Sequence, residues 1–435
     1  MRWYLGAIAV LIVSLVFGLG LLTYAMYVLL GVMLVSRFVA RYWIDHLTAT
    51  RECHRLTAEI GDKLGVAVQV RNTGRLPVAW VLVEDSLPRL ALVQRPPRLK
   101  LHNRRLMIGM LWRGGQKTML YQVEFQMRGY YQIGPVVLET GDLFGLHRRY
   151  RVATEPHFIL VYPRLVPLAG YDLASRRPVG EIRLTHRLFE DPTRIEGVRQ
   201  YQEGDPLNRV NWRATARTGV LHSKIYEPST IAGATVVLGF HRDDYPRANE
   251  PLRSELAVTT AASIANEVYL MGQQIGLITN GRDAADRIRQ EGWSHDYRSR
   301  SAAQTNVNMV ERSERLRPVV VPTRQGPEQL WRILETLARV EMTDGLSFSQ
   351  LIVESTSRLP RDATVVAVLA RVEPETALAL GTLRRRGYAV VGVLVVFDDF
   401  EFEDYAGRLL AQGIESRRVV DEAAISLLCG QHLVR

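Results

Sequence analysis

From Trp3 to Val35 the chain carries no charged side chain, and nothing else in it restricts the fold as strongly. A helix needs about 20 apolar residues to cross roughly 30 Å of hydrocarbon, so this run is long for one span and short for two. The Gly18-Leu19-Gly20 step near its middle offers a bend, since glycine tolerates backbone conformations closed to other residues. The expectation is two short helices packed as a hairpin, with Gly6, Ala7 and Ala9 allowing close approach. One long tilted helix is the alternative. A cleaved signal peptide is a third, opposed by an apolar run that outlasts an ordinary h-region without a small-x-small cleavage site before Arg37. In a hairpin both chain ends share one side of the membrane. Arg2, Arg37 and Arg41 assign that side to the cytoplasm.

With 435 residues the chain exceeds one compact core, and two or three domains are expected. Its two cysteines, Cys53 and Cys429, form no ligand pattern and no disulfide framework, which suits a reducing compartment. The net charge of +10 is spread along the sequence, although residues 86–120 hold eight Lys or Arg and no acid. That segment reads either as a solvated sheet face or as a surface for anionic headgroups of the nearby bilayer. Nucleic acid is not an expected partner, because no aromatic-basic stacking motif or recognition helix accompanies the charge.

The organisation falls into four parts. Residues 1–41 form the hairpin, and a basic connector from Arg37 to Arg55 leads out of it. Residues 42–162 are dense in strand signals, at Val66–Val70, Ala79–Glu84, Met119–Met127, Pro135–Glu139 and Phe158–Tyr162. Short strands parted by Gly- and Pro-containing turns predict an antiparallel β-sandwich of immunoglobulin type. Residues 163–230 are a connecting segment of mixed charge, and 231–435 alternate strands with helices. Strands are expected at Ala234–Phe240, Gln274–Thr279, Thr364–Leu369 and Ala389–Phe397. Helices are expected at 252–271, Pro327–Val340, Pro374–Arg386 and from Asp404, with a loop at 293–316. This alternation predicts a parallel sheet covered on both faces.

The connecting segment holds the most specific string, from Glu196 to Arg217. Asp205 suits an N-cap, Pro206 a first helical position, and Gly219 lies just past an end. These signals predict a helix of about three turns. Arg209 and Arg213 would share one face, with Val210, Ala214 and Arg217 on another. Trp212 needs a pocket and an acceptor for its indole N–H. Arg199, Tyr201, Gly204, Asp205, Val210, Trp212, Thr215, Ala216 and Arg217 match in order and spacing a signature Arg-x-Tyr-x-x-Gly-Asp, aliphatic, Trp-x-x-Thr/Ser-Ala-Arg. On these residues the chain resembles the domain of unknown function 58 family. Gly129–Pro135 and Asp142-Leu143-Phe144-Gly145-Leu146 look like the segment preceding that signature. The resemblance implies a membrane-anchored protein with a carboxyl-terminal von Willebrand A-like domain. It also implies partnership with a MoxR-type AAA+ ATPase and other von Willebrand A proteins, in assembly or maturation of membrane or envelope proteins.

The signature admits two readings: an interdomain joint of arginine-carboxylate pairs, or a recognition surface in which Trp212, Arg213 and Arg217 meet a partner. No nucleophile with a base is visible, so no catalytic residue is assigned. A hydrolase built around Arg199, Asp205 and Arg217, and an extracytoplasmic adhesin, remain as alternatives. A metal-binding A domain needs Asp-x-Ser-x-Ser after its first strand. Here Gly239 stands in the place of that aspartate and both serines are missing, so neither a metal nor a cofactor is expected. The His241, Asp243 and Asp244 cluster reads as a solvated loop, and Asn280-Gly281-Arg282-Asp283 as a turn into a helix.

Overall fold

The computed structural model describes residues 2–168, 189–201, 210–229, 233–285, 316–360 and 363–428. The chain forms two compact units, which part between Pro163 and Arg164 and again between Asp283 and Ala284, with the chain returning to the second unit from Ser313.

The first unit opens with α1 (Arg2–Val16) and α2 (Gly20–Asp45). Gly18, at φ 65°, makes the turn between them. The helices are antiparallel: Tyr4 donates its hydroxyl to the Met33 carbonyl at 2.9 Å, and Thr23 reaches Ser14 at 3.1 Å. The second helix, long and apolar enough to cross a membrane, is not short, and Arg37–Arg55 is not a connector. The helix continues through both arginines because Ala40, Trp43 and Ile44 are buried, the last two within the β-domain core. Helix ends leave carbonyls open, and here Arg151 donates to those of Ile44, Asp45 and Leu47. The end of α2 and the sheets are therefore packed together.

The strands are β1 (Leu47–Cys53), β2 (Thr57–Ala58), β3 (Lys63–Asn72), β4 (Val78–Asp85), β5 (Leu99–His102), β6 (Leu106–Leu111), β7 (Gln116–Phe125), β8 (Gly129–Ile133), β9 (Val136–Gly141), β10 (Arg148–Val152) and β11 (His157–Val161). Two antiparallel sheets, in orders β1-β3-β7-β5 and β10-β9-β4-β6, share one apolar core, to which Val66, Val68, Val123, Val81, Val83 and Leu138 contribute. In β3 buried residues alternate with exposed or half-buried ones, the period that places one face on a core. A third sheet, β2-β11-β8, completes this unit. The expected strands fall on β3, β4, β7, β9 and β11. Inside this core lies a charged group. Arg51 meets Asp85 at 3.0 Å, Tyr121 donates to the other Asp85 oxygen at 2.7 Å, and Arg51 also reaches the Glu155 carbonyl. Burial pushes the Asp85 carboxyl pKa up, outweighing the pull of Arg51.

The second unit begins with a ribbon of β12 (Phe189–Gln200) and β13 (His222–Ser229), which flank the short helix Trp212–Thr218. Its main sheet comprises β14 (Gly233–Leu238), β15 (Gln274–Thr279), β17 (Val319–Arg324), β19 (Ala363–Leu369), β20 (Val390–Val395) and β21 (Glu415–Val419), with β16 (Arg282–Asp283) and β18 (Val340–Glu341) paired separately. The strand order β17-β15-β14-β19-β20-β21 is doubly wound about β14. The sheet is mixed rather than all parallel, since β17 runs antiparallel to β15. Pro322 in β17 cannot donate to a ladder, so that strand belongs at an edge. Helices Leu252–Leu270, Pro327–Arg339 and Pro374–Arg385 lie where expected, and Leu256, Thr260, Ile264 and Val268 are buried. The next helix starts at Asp399 rather than Asp404, because the Asp398 carboxylate accepts from the Glu401 amide at 3.0 Å. The sequence pattern does not predict helices Phe348–Ser355 and Glu422–Ser426 or strands β17 and β21. The loop expected over 293–316 lies almost wholly outside the described residues.

Candidate interaction site

The signature residues separate into those that build a small scaffold and those that it displays. The helix Trp212–Thr218 has seven residues, too few to persist on propensity alone. Its ends are closed instead. Asn211 accepts from the Ala214 amide at 3.2 Å, and Gly219, at φ 72°, returns its amide to Thr215. It is also tied to the ribbon: the His222 amide donates to the Thr215 hydroxyl at 3.1 Å, and the Asn211 amide to the His222 carbonyl at 2.8 Å. Val210 is buried and bridges Ser223, while the half-buried Tyr201 gives its amide to Leu221 at 2.8 Å.

The expected three-turn helix from Asp205 is thus corrected: it begins at Trp212, and Val210 and Asn211 are extended. Asn211 takes the capping role because its side chain reaches the open amide of Ala214, the third residue of the helix. Gly204, Asp205 and Arg209 lie outside the described residues. Arg199 sits on β12 opposite Ser223.

No pocket among the described residues holds Trp212. It is 68% exposed, and Arg213, Ala216 and Arg217 beside it are exposed too. Positions 212 and 216, and 213 and 217, are each one turn apart, so the four make one outward face, with Ala214 and Thr215 turned toward the ribbon. Val220 and Leu221, both 44% exposed, follow just past the helix end. An aromatic ring at one edge of a face that carries two guanidinium groups, with no acid among these six residues, suits an acidic or planar partner. Sequence reasoning missed Asn211 and the Val220-Leu221 step. The Asn-x-x-Ala…Gly spacing carried the first.

At the carboxyl end of β14 the backbone of Gly239 is closely packed. A side-chain carbon added at Gly239 would lie 3.0 Å from the Phe348 ring and 3.2 Å from Leu369. Among the described residues, no group of three or more His, Cys, Asp or Glu could hold a metal. In the neighbouring loop His241 accepts from the Asp243 amide at 3.3 Å. Burial pushes the Asp244 carboxyl up to about 6, against the pull of His241. Asn280 is no ordinary turn residue: it accepts from the Phe240 amide at 2.6 Å and donates to the Leu346 carbonyl at 2.7 Å. Arg282 and Asp283 form β16 instead of entering a helix directly, and the buried Arg282 pairs with Glu341 at 3.2 Å.

Residues 197–298 match the family model described as "Protein of unknown function DUF58". The uncharacterized protein YeaD of Bacillus subtilis (strain 168) is 26% identical over 271 residues, 62% of this chain and 65% of that one. The match therefore spans just under two thirds of that relative. Among solved structures, a CARDB domain from Pyrococcus furiosus is matched by 26% of this chain over 91% of its own length, with 13% identity and a TM-score of 0.19. A cohesin module from Clostridium perfringens is matched by 26% of this chain over 96% of its own length, with 8% identity and a TM-score of 0.20.

Proposed function

We propose that this protein, a member of the DUF58 family, is a membrane-anchored, non-catalytic adaptor that captures a MoxR-type AAA+ ATPase through the Trp212 face. The observation that carries the reading is the exposure of Trp212 on a helix whose buried neighbours fix it. A large ring held out in water by a capped, ribbon-tied helix costs free energy unless a partner covers it. Arg213 and Arg217, for which the described residues supply no ion pair, add charge that would select an acidic partner surface.

The anchor is the α1–α2 hairpin, and the arginines at Arg2, Arg37 and Arg41 favour a cytoplasmic position for both units. The β-domain is read as an immunoglobulin-type sandwich. The doubly wound sheet with its antiparallel edge strand is read as a von Willebrand A-like domain without a metal, in keeping with the packed surroundings of Gly239.

The test uses the full-length protein in detergent and the purified MoxR-type ATPase of the same organism. The wild-type protein should retain the ATPase, and the Trp212→Ala/Arg213→Ala pair should release it while unfolding unchanged. Equal retention by both proteins removes the site from the reading. A carboxyl-terminal reporter active only outside the cytoplasm removes the partner.

A further inference from the structure

The loop Asp142–His147 is built tightly and yet carries three exposed apolar side chains. The Asp142 carboxylate, itself buried, accepts from the amides of Phe144, Leu146 and His147 at 3.0, 3.3 and 2.6 Å. Gly145, at φ 73°, completes the turn. The loop therefore holds one shape, and in that shape Leu143, Phe144 and Leu146 are 73%, 70% and 49% exposed. A loop that needed only to join β9 to β10 would gain nothing from presenting them to water.

Where the loop sits gives those side chains a destination. The His147 ring lies 2.9 Å from the Ser36 hydroxyl of α2 and 3.1 Å from the Tyr4 hydroxyl of α1. Ser36 and Tyr4 mark the level at which both helices leave the uncharged run, between Arg2 at one end and Arg37 at the other. The loop is thus fixed to the hairpin at its polar boundary. Although α2 as a whole is long enough to cross, the part of the hairpin that carries no charge falls short of the hydrocarbon thickness. From Gly20 to Val35, α2 rises about 24 Å and the whole of α1 about 22 Å at 1.5 Å per residue, against roughly 30 Å of hydrocarbon. About one further turn of apolar surface is needed to match the bilayer, and a protein meets such a mismatch with interfacial residues. Phe38, 65% exposed one turn beyond Leu34, supplies part of it.

We infer that Leu143, Phe144 and Leu146 insert into the acyl–headgroup boundary of the bilayer and set the depth of the first unit. This rests on the reading that the hairpin spans the membrane. Arg37, Arg41 and Arg149, all exposed, then stand at phosphate level beside the inserted side chains. With α2 continuous into the β core, the loop is a second foothold, and two footholds suppress tilting of the sheets against the membrane.

The experiment places a nitroxide on single cysteines in the full-length Cys53→Ser/Cys429→Ser background, reconstituted in phosphatidylethanolamine–phosphatidylglycerol vesicles. The labelled sites are Phe144→Cys in the loop, Leu120→Cys on the exposed face of β7, and Ile12→Cys within α1. Collision rates with oxygen and with a water-soluble nickel chelate report depth. The expected result is an oxygen-to-nickel ratio at 144 several-fold above that at 120, approaching that at 12. If 12 lies in lipid while 144 matches 120, the inference fails and the anchor stands. If 12 itself is open to the nickel chelate, the membrane reading fails and takes the inference with it. The vesicles contain no other protein, so a loop that awaits a protein partner would score with 120.

Discussion

Arg51 and Arg213 carry the same guanidinium in opposite circumstances. Arg51 is out of water in the first unit and holds Asp85 at 3.0 Å within a network that includes Tyr121. Arg213 stands exposed next to a largely exposed Trp212 in the second unit. Removing a partner from the first strands a charge in an apolar core, whereas removing the second leaves water to fill the space. The contrast teaches that arginine content says nothing by itself about function. Burial and partners decide whether an arginine is a structural member or an available one.

The contrast breaks if the buried pair proves dispensable. Asp85→Ala should cost about 3–5 kcal/mol, because Arg51 is then buried without a counter-charge. Hydrogen exchange of the β3, β4 and β7 amides in the detergent-solubilised full-length protein measures it, and a loss below about 1 kcal/mol would put the pair on a par with an exposed one. The Arg51→Met/Asp85→Leu double variant sharpens the point, since an apolar replacement of a buried pair is often neutral.

Asp244 offers an intermediate case, a mostly buried carboxyl with no short ion pair among the described residues. Its folded pKa of about 6 stands above the ordinary value of 3.8. The native state therefore holds this proton more tightly than the unfolded chain does. Its contribution is full below the ordinary value and is lost as pH rises toward and through 6, by at most about 3 kcal/mol. Asp244→Asn should flatten this part of the pH dependence of the second unit's exchange. An unchanged slope assigns the dependence elsewhere.

The sequence declared the elements whose pattern is strong and local. The uncharged run with its Gly18-Leu19-Gly20 break foretold the hairpin, and apolar stretches such as Thr364–Leu369 foretold the central strands almost to the residue. What it hid depends on tertiary partners. Nothing local says that Arg37 and Arg41 ride on a helix that enters the β core; Trp43 and Ile44 decide that by packing. Strand β17, with its proline and half-exposed pattern, is held by its neighbour β15 more than by its own composition. At the signature, order and spacing identified the string, but capping strength misplaced the helix. Asp205-Pro206 is the stronger start signal by composition, yet Asn211 holds the start because pairing with His222 keeps 210–211 extended. The same tertiary constraint leaves Trp212 outside, where a rule about burying tryptophan expected a pocket.

That constraint makes the smallest effects the most telling. Asn211→Ala removes the cap and should cost about 1 kcal/mol, confined to the helix and the β12–β13 ribbon. Trp212→Ala should change stability by less than about 0.5 kcal/mol, since an exposed side chain away from caps and ion pairs has little to lose. The two variants separate scaffold from display. If capture of the ATPase depends on the helix being formed, Asn211→Ala weakens it by the fraction of time the helix is open, and lowering the temperature restores it. Trp212→Ala removes the contact itself, so its defect persists at every temperature at which the helix is folded. A Trp212→Ala protein that loses several kcal/mol of stability would mean that the ring is covered within the chain, and the signature would then be a joint after all.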